Sequence, residues 1–299
     1  MTNRLELNWK LDGFVDEQRY YCSETPIDPD NLPVPKAVLA GDLRSHIDAD
    51  IELGKKYHIA IGSVKKAVEK ISEEIRVITN WPYYNANVLS AMNFNGNFND
   101  EKGLSWQNSG VQISTSDYKF GPSSAYFAAN SHLRCFDHIF VFNSNAYTID
   151  FFIKINATTV ADWPYIFASE HFSKPNGFLC YCDGAGLYDG NGVLKFVGTQ
   201  GGPALTSTSI IRNSGWKHIE ISSDGVTHRL FVDGNLEAVS NTAYNFIRPQ
   251  AFWGAALNTA STGAESNTTE NMFIDSIVVT RGKALHTQNF IPRNRKFEI

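Results

Sequence analysis

Apolar and polar residues alternate with a period of two along most of this chain, and that is the period of a half-buried strand. The clearest case is Trp216 to Leu236, WKHIEISSDGVTHRLFVDGNL. Trp216, His218, Glu220 and Ser222 point one way, and Lys217, Ile219, Ile221 and Ser223 the other. Asp224-Gly225 supplies a tight hairpin turn, because Gly accepts positive φ without steric cost. Thr227 to Val232 returns as a second strand, and Asp233-Gly234 makes a second turn. In this hairpin Trp216 is expected as the buried anchor. Tyr147–Ile155, YTIDFFIKI, reads as the next strongest strand. Trp163–Ser169 pairs with Gly177–Cys182, the Gly-rich stretches 184–192 and 198–209 read as turns or loops, Arg248–Gly254 leads into a strand, and 258–271 is a polar loop before a closing strand.

The first 78 residues carry a shorter set of the same signals. Leu5, Leu7, Trp9 and Leu11 alternate with polar residues, with Trp9 expected in a core under Tyr57. Gln18–Ser23 forms another strand. ETPIDPDNLPVPKAVL follows, whose prolines exclude a helix interior and a central strand. His46 to Glu52 is turn-rich, and Tyr57–Val64 alternates again. Val68 to Ile78 supplies a last strand after a basic turn at Lys65-Lys66. Val64, Val68, Ile71 and Ile75 also fit helical spacing, so an amphipathic helix over Val64–Ile75 is the competing reading. Thr79–Asn87, TNWPYYNAN, is a linker by its Pro and Asn content, and its Trp81, Tyr83 and Tyr84 suggest a fixed elbow. Domains are therefore expected at 3–78 and 88–299, joined by 79–87.

Composition sharpens this all-β picture. Aromatics make up 13% of the 299 residues, which suits β-rich packing. The net charge is −5 without a basic run, so nucleic-acid binding is not expected, since it needs clustered Lys and Arg against phosphates. No stretch has membrane-spanning length and MTNRLELNWK has no signal-peptide core, so a soluble protein without a membrane partner is expected. Cys180 and Cys182 on one strand face stand about 6.6 Å apart at ~3.3 Å rise per residue, too far for a disulfide. Cys22, Cys135, Cys180 and Cys182 are expected as reduced, mostly buried thiols.

Several of these segments resemble known families. The Trp216–Leu236 hairpin is similar to the W-x-H hairpin of laminin-G-like, concanavalin A-type β-sandwich domains. VLSAMNFNG at Val88, Phe120-Gly121-Pro122 with Ala125-Tyr126-Phe127, YTIDFFIKI, and the closing MFIDSIVVTRGKALHTQNFIPRNRKF extend the resemblance over 88–297. The closing segment resembles that of laminin-G-like domains in tailed-bacteriophage virion proteins. The order of L-x-W, YYCSETPIDP, YHIAIGSV and EKISEEIRV resembles fibronectin type III-like modules of phage structural proteins. The resemblance implies a small fibronectin type III-like sandwich followed by a concanavalin A-like jelly-roll sandwich. It implies a non-enzymatic virion protein, made in the host cytoplasm and displayed as a head decoration, fibre or tail accessory. Its partners would be other virion proteins and host-surface glycans, with several copies per particle or a homo-oligomer. A structural adaptor without a sugar site and a surface glycan hydrolase are the alternatives. The resemblance also implies a calcium site at the sandwich rim, with Asn95 and Asp275 in the matching positions. Ser276 stands where the family has Glu, and Ala128-Ala129 where it has Asp-Gly.

Candidate chemistry is sparse. A glycosidase needs two carboxylates across the bond it cleaves, but Asp150, Glu220 and Asp275 have no acidic neighbour two residues away on their own strands. A pair assembled from different strands stays open. His218 lacks an orienting acid nearby in sequence, so a packed structural histidine is expected. For a sugar, the need is an exposed aromatic plane beside polar groups. Trp163 and Tyr165 flank Pro164, and Tyr188 lies beside Asp189 and Asn191. These three are the expected ligand-binding residues.

Overall fold

The computed structural model describes residues 5–52, 55–78, 87–156, 164–183, 192–257, 264–265 and 271–297. Every regular element among them is a β-strand. The chain divides into two compact units, Met1–Pro82 and Tyr83–Ile299. Most of the expected linker, including Trp81, Tyr83 and Tyr84, lies outside the described residues.

The first unit has strands β1 (Leu5–Asn8), β2 (Glu17–Ser23), β3 (Ala37–Ala40), β4 (Ser45–Asp48), β5 (Lys56–Lys65), β6 (Val68–Ile71) and β7 (Ile75–Ile78). β3, β2, β5 and β6 run side by side, and β7 pairs with the other half of β5's same edge region. Among the described residues, only the antiparallel pair β1–β4 stands against this five-stranded sheet. Tyr20, Tyr57, Ile59 and Ile51 are buried between them, with Leu5, Leu7 and Val77 packed around. The strand reading of Val64–Ile75 holds over the helical one, but Ser72–Glu74 divides the expected single strand. His46–Glu52 is not merely turns, because Ser45–Asp48 pairs with β1 residue for residue. Trp9 is only half-buried, its indole N–H donating to Gln18 Oε1 at 2.6 Å. That bond holds the ring at the edge of the core instead of under Tyr57.

In the second unit, β8 (Val88–Met92), β9 (Gln107–Ser109), β10 (Gln112–Ser114), β11 (Ser124–Phe127), β12 (His132–Cys135) and β13 (Tyr147–Asn156) come first. β14 (Tyr165–Ala168), β15 (Phe178–Cys182), β16 (Val193–Gly198), β17 (Ala204–Ile210), β18 (Lys217–Ser223), β19 (His228–Val232) and β20 (Asn235–Ser240) follow. β21 (Ala251–Trp253), β22 (Ala256–Leu257), β23 (Ala264–Glu265) and β24 (Asn271–Arg281) complete the order. One sheet runs β10-β11-β24-β13-β18-β19-β20, with β8 beside the C-terminal half of β24. The other runs β17-β16-β15-β14-β21-β12-β9. The two sheets bury a single aromatic-rich core between them. Tyr147, Ile149, Phe151, Ile153 and Ile155 of β13 face Phe167, Phe178, Phe196 and Trp253 of the second sheet. Phe142 stacks on Tyr147 at 4.3 Å, and Phe151 meets Trp253 edge-on at 5.2 Å, geometries that add to plain burial.

Two expectations change here. The stretch 198–209 is not all loop: Thr206 and Thr208 alternate with Leu205 and Ser207, and β17 pairs with β16. Trp216 precedes β18, is half-buried, and belongs with His218 and Glu220 to the outward phase of the strand. Among the described residues the fully buried tryptophan is Trp253. The four cysteines are free, three of them buried and Cys22 half-buried.

β24 carries the irregularity that shapes the outer face of the large sheet. Met272, Ile274, Ile277 and Val279 all reach the core, so the inward spacing is two, then three, then two. The extra residue is a bulge opposite Phe151, with Ser276 at φ 53°. As a result Asp275 and Ser276 both leave the core side.

Candidate functional site

The outer face of the large sheet consists of the strand residues that the core does not use, and the C-terminal segment divides it into a covered and an open half. On the covered half, Thr148, Asp150 and Phe152 of β13 alternate with the core residues, and His218, Glu220 and Ser222 of β18 lie beside them. Asp150 and Glu220 are register partners. The two carboxylates that are isolated within their own strands thus meet across strands.

Residues 283–297 strap this half. Thr148 Oγ1 donates to the Lys283 carbonyl and accepts the Leu285 N–H, and Ser222 Oγ donates to the His286 carbonyl. His286 Nδ1 lies 2.6 Å from Glu220 Oε2, and the His286 ring stacks on Phe290 at 3.6 Å. The Phe290 N–H donates to the Gly234 carbonyl. Arg293 then turns inward: its Nε donates to Asp150 Oδ1 at 2.8 Å, and its guanidinium also meets the Ser276 hydroxyl and carbonyl. Asp150 Oδ2 lies 2.6 Å from His218 Nε2. His218 therefore has the orienting acid that its own strand does not supply.

Asp150 and Glu220 are 1% and 0% exposed. Burial raises the Glu220 carboxyl above its ordinary value, against the pull of His286. A carboxylate pair of this kind is engaged by Arg293, His218 and His286 and closed to a polymer. It fastens the strap.

The expected calcium position shows related chemistry. Asp275 is buried and accepts the N–H groups of Lys119 and Phe120 through Oδ2, at 3.1 and 2.9 Å. The Lys296 ammonium donates to Asn95 Oδ1 at 2.9 Å and to the Ser123 carbonyl at 3.0 Å, and lies 3.5 Å from Asp275 Oδ1. Asn95 and Asp275 do converge, and a lysine ammonium lies between them. Burial raises the Asp275 carboxyl and lowers the Lys296 ammonium, and the charge of each opposes that shift in the other. Among the described residues no cluster of three His, Cys, Asp or Glu side chains could hold a metal ion.

The open half is different in kind. Gln112, Tyr126 and Phe273 are successive register partners on β10, β11 and β24, and Phe273 is paired in turn with Lys154 of β13. This makes a row across four strands, about 14 Å long at ~4.8 Å per strand. The Tyr126 and Phe273 rings lie 5.0 Å apart, tilted by 39° and half-buried. Tyr126 Oη donates to Asn271 Oδ1 at 2.6 Å, which leaves the Asn271 amide N–H groups for a ligand. Asn156 is the register partner of Asn271. With Ser114, Thr115, Ser116 and Ile113, these residues line a cleft of about 400 Å³. Asp117 stands at its flank, paired with Lys154 at 2.6 Å and accepting the Trp216 indole N–H at 3.0 Å. The charges beside the cleft cancel, and its lining is uncharged.

Of the sequence-based ligand residues, Trp163 and Tyr188 lie outside the described residues. Tyr165 is 6% exposed, on an interior strand of the smaller sheet, packed against Ala168, Leu179 and Ala256. Pro164 marks the start of that strand and not an edge, so Tyr165 offers no ring face to a ligand. Tyr126, Phe273, Asn271 and Asn156 were not anticipated. Their signal is an aromatic in the polar phase of a strand: Tyr126 between core residues Ala125 and Phe127, and Phe273 between Met272 and Ile274.

Among solved structures the fold has counterparts at low identity. The binding domain of botulinum neurotoxin serotype C1 is 14% identical, with a TM-score of 0.49, over 66% of this chain and 48% of that one. Domain 4 of AbnA, an extracellular GH43 arabinanase from Geobacillus stearothermophilus, solved with arabinotriose, is 15% identical, with a TM-score of 0.48, over 66% and 93%. A Trypanosoma rangeli sialidase is 9% identical, with a TM-score of 0.46, over 81% and 41%. The match spans about half the length of the neurotoxin chains. No curated protein matches the sequence. The family profile Laminin_G_3, described as the concanavalin A-like lectin/glucanases superfamily, matches residues 123–273, half of the chain. That match runs from β11 to the first residues of β24, and the chain belongs to this superfamily.

Proposed function

We propose that the C-terminal unit is a non-enzymatic glycan-binding module. The observation that carries this reading is the open cleft around Tyr126 and Phe273. It joins two half-buried aromatic rings to amide and hydroxyl groups on a sheet, which suits the apolar faces and hydroxyl rims of sugar rings. The absence of catalysis is inferred from the covered half of the same face, where the cross-strand pair Asp150–Glu220 is buried and committed to the strap. The sequence resemblance supports placing the chain on a tailed-phage particle, as a head decoration, fibre or tail accessory that touches host-surface glycans. A shallow cleft binds one sugar weakly, so several copies on one particle would supply avidity.

The test is a glycan array probed with the full chain clustered on beads, beside a Tyr126→Ala/Phe273→Ala variant. The parent binds a defined set of glycans without releasing sugars, and the variant loses that binding while keeping its melting temperature. Equal binding by a folded variant removes the cleft from consideration. Binding by neither protein replaces this reading with that of a structural adaptor, and released sugars replace it with a hydrolase.

A further inference from the structure

The first unit is an incompletely covered sandwich. Its five-stranded sheet is faced by two strands of four residues each, β1 and β4. The uncovered part is a groove of about 980 Å³. β1 and the following loop, including Leu7, Trp9, Leu11 and Phe14, form one wall. Ile59 and Ile61 of β5 form the floor, and Val68, Ile71 and Ile75 of β6 and β7 form the other wall. Phe14 is 86% exposed, and Val68 and Ile75 are each 63% exposed. Three large apolar side chains are thus left in water around one opening, which is unusual for a finished surface.

The backbone on both walls is unfinished too. β1 hydrogen-bonds to β4 alone, and β6 and β7 pair only with β5, so each wall presents an edge without a ladder partner among the described residues. Such an edge is a template for another strand. Lys10, Lys65, Lys66 and Lys70 rim the groove against Asp12 and Glu73. No ion pair engages these four lysines among the described residues, on a chain whose net charge is −5. The rim is therefore locally positive on an acidic protein.

We propose that this groove docks an extended segment of a partner protein, with aliphatic side chains alternating with Asp or Glu. The segment adds a strand beside β1. Its aliphatic side chains fill the space over Ile59, Ile61 and Val68, and its acids meet the lysines. Alternation supplies both requirements at once, because successive strand residues face opposite ways. The lysine rim disfavours a second copy of the same groove, which would bring like charges together. The docking is independent of the glycan cleft, which belongs to the other unit.

The experiment uses the full chain as bait for a yeast-displayed library of random peptides about ten residues long, enough for one strand. Val68→Glu/Ile75→Glu serves as the counter-bait; both positions are exposed, so its fold and melting temperature are retained. The expected enriched peptides alternate aliphatic and acidic residues. Resynthesised, they bind the parent and lose at least about tenfold in affinity to the counter-bait and to Lys10→Glu/Lys70→Glu. Four results overturn the proposal: no enrichment over the counter-bait; enriched peptides without acids; a parent dimer in light scattering that the Val68→Glu/Ile75→Glu change abolishes, which makes a second copy the occupant; or a fall in the counter-bait's own melting temperature, which means the chain already covers this face.

Discussion

Trp216 and Trp253 show how much a residue's energetic role depends on the face it occupies. Trp253 is fully buried against Phe140, Phe151 and Phe167, and Trp253→Ala is expected to cost about 3–5 kcal/mol. Trp216 is half-buried and held by one bond to Asp117, so Trp216→Ala is expected to cost about 1 kcal/mol. Urea unfolding of the two variants separates them; equal losses would contradict the face assignment. His228 gives a pH dependence. It is buried beside Tyr147, and burial lowers its pKa from 6.5 to about 4. The unfolded chain therefore binds a proton there that the folded chain refuses. The stability linked to His228 is complete above pH 6.5 and is lost as the pH falls toward 4. A His228→Gln variant is expected to show a smaller loss of urea midpoint between pH 7 and pH 5 than the parent, and an identical loss would contradict this. At Lys296 the ammonium lies between Asn95, Ser123 and Asp275. Calcium is then expected to leave the melting temperature unchanged, whereas an ion that displaced the lysine would raise it.

The elements themselves were largely legible, because their side-chain period is two. The hairpin at 217–232 and strand 147–156 follow from alternation and turn residues, while the pairing of the first and last strands of the second unit follows from the family resemblance. What alternation hides is any partner from a distant segment. Asp150 and Glu220 are 70 positions apart in the chain and meet only because β13 lies beside β18. Arg293, His286 and Lys296 come from a tail without regular structure, which has no period to read. The aromatics of the proposed cleft are hidden for a related reason: an exposed aromatic plane is expected in a loop, while Tyr126 and Phe273 stand on strands. The bulge at Ser276 did leave a trace, since the apolar spacing in MFIDSIVV stretches from two to three at that point. The strap also carries a prediction. Arg293 is 4% exposed and is the cation for Asp150. Arg293→Ala is expected to destabilise the protein by about 3–5 kcal/mol, because it removes the guanidinium that meets the buried Asp150 carboxylate. Urea unfolding checks this, and a loss below 1 kcal/mol would mean that the strap is not fastened there.

For the molecule as a whole, the two units divide the work: one carries a half-covered sandwich with an apolar groove, the other a closed sandwich whose outer face is half strapped and half open. The strap matters to the second reading, because it removes the acidic half of that face from solvent and leaves an uncharged cleft. Aromatic stacking and hydrogen bonding are the chemistry this cleft offers, and the proposed binding function rests on them. The most direct test is a nuclear magnetic resonance titration of the full chain with an oligosaccharide taken from the positive spots of the glycan array. The side-chain amide signals of Gln112, Asn156 and Asn271 and the ring signals of Tyr126 and Phe273 are expected to shift together and saturably, while the sugar spectrum stays that of intact oligosaccharide. Shifts gathered at another surface, or the appearance of shortened sugar, would contradict the account.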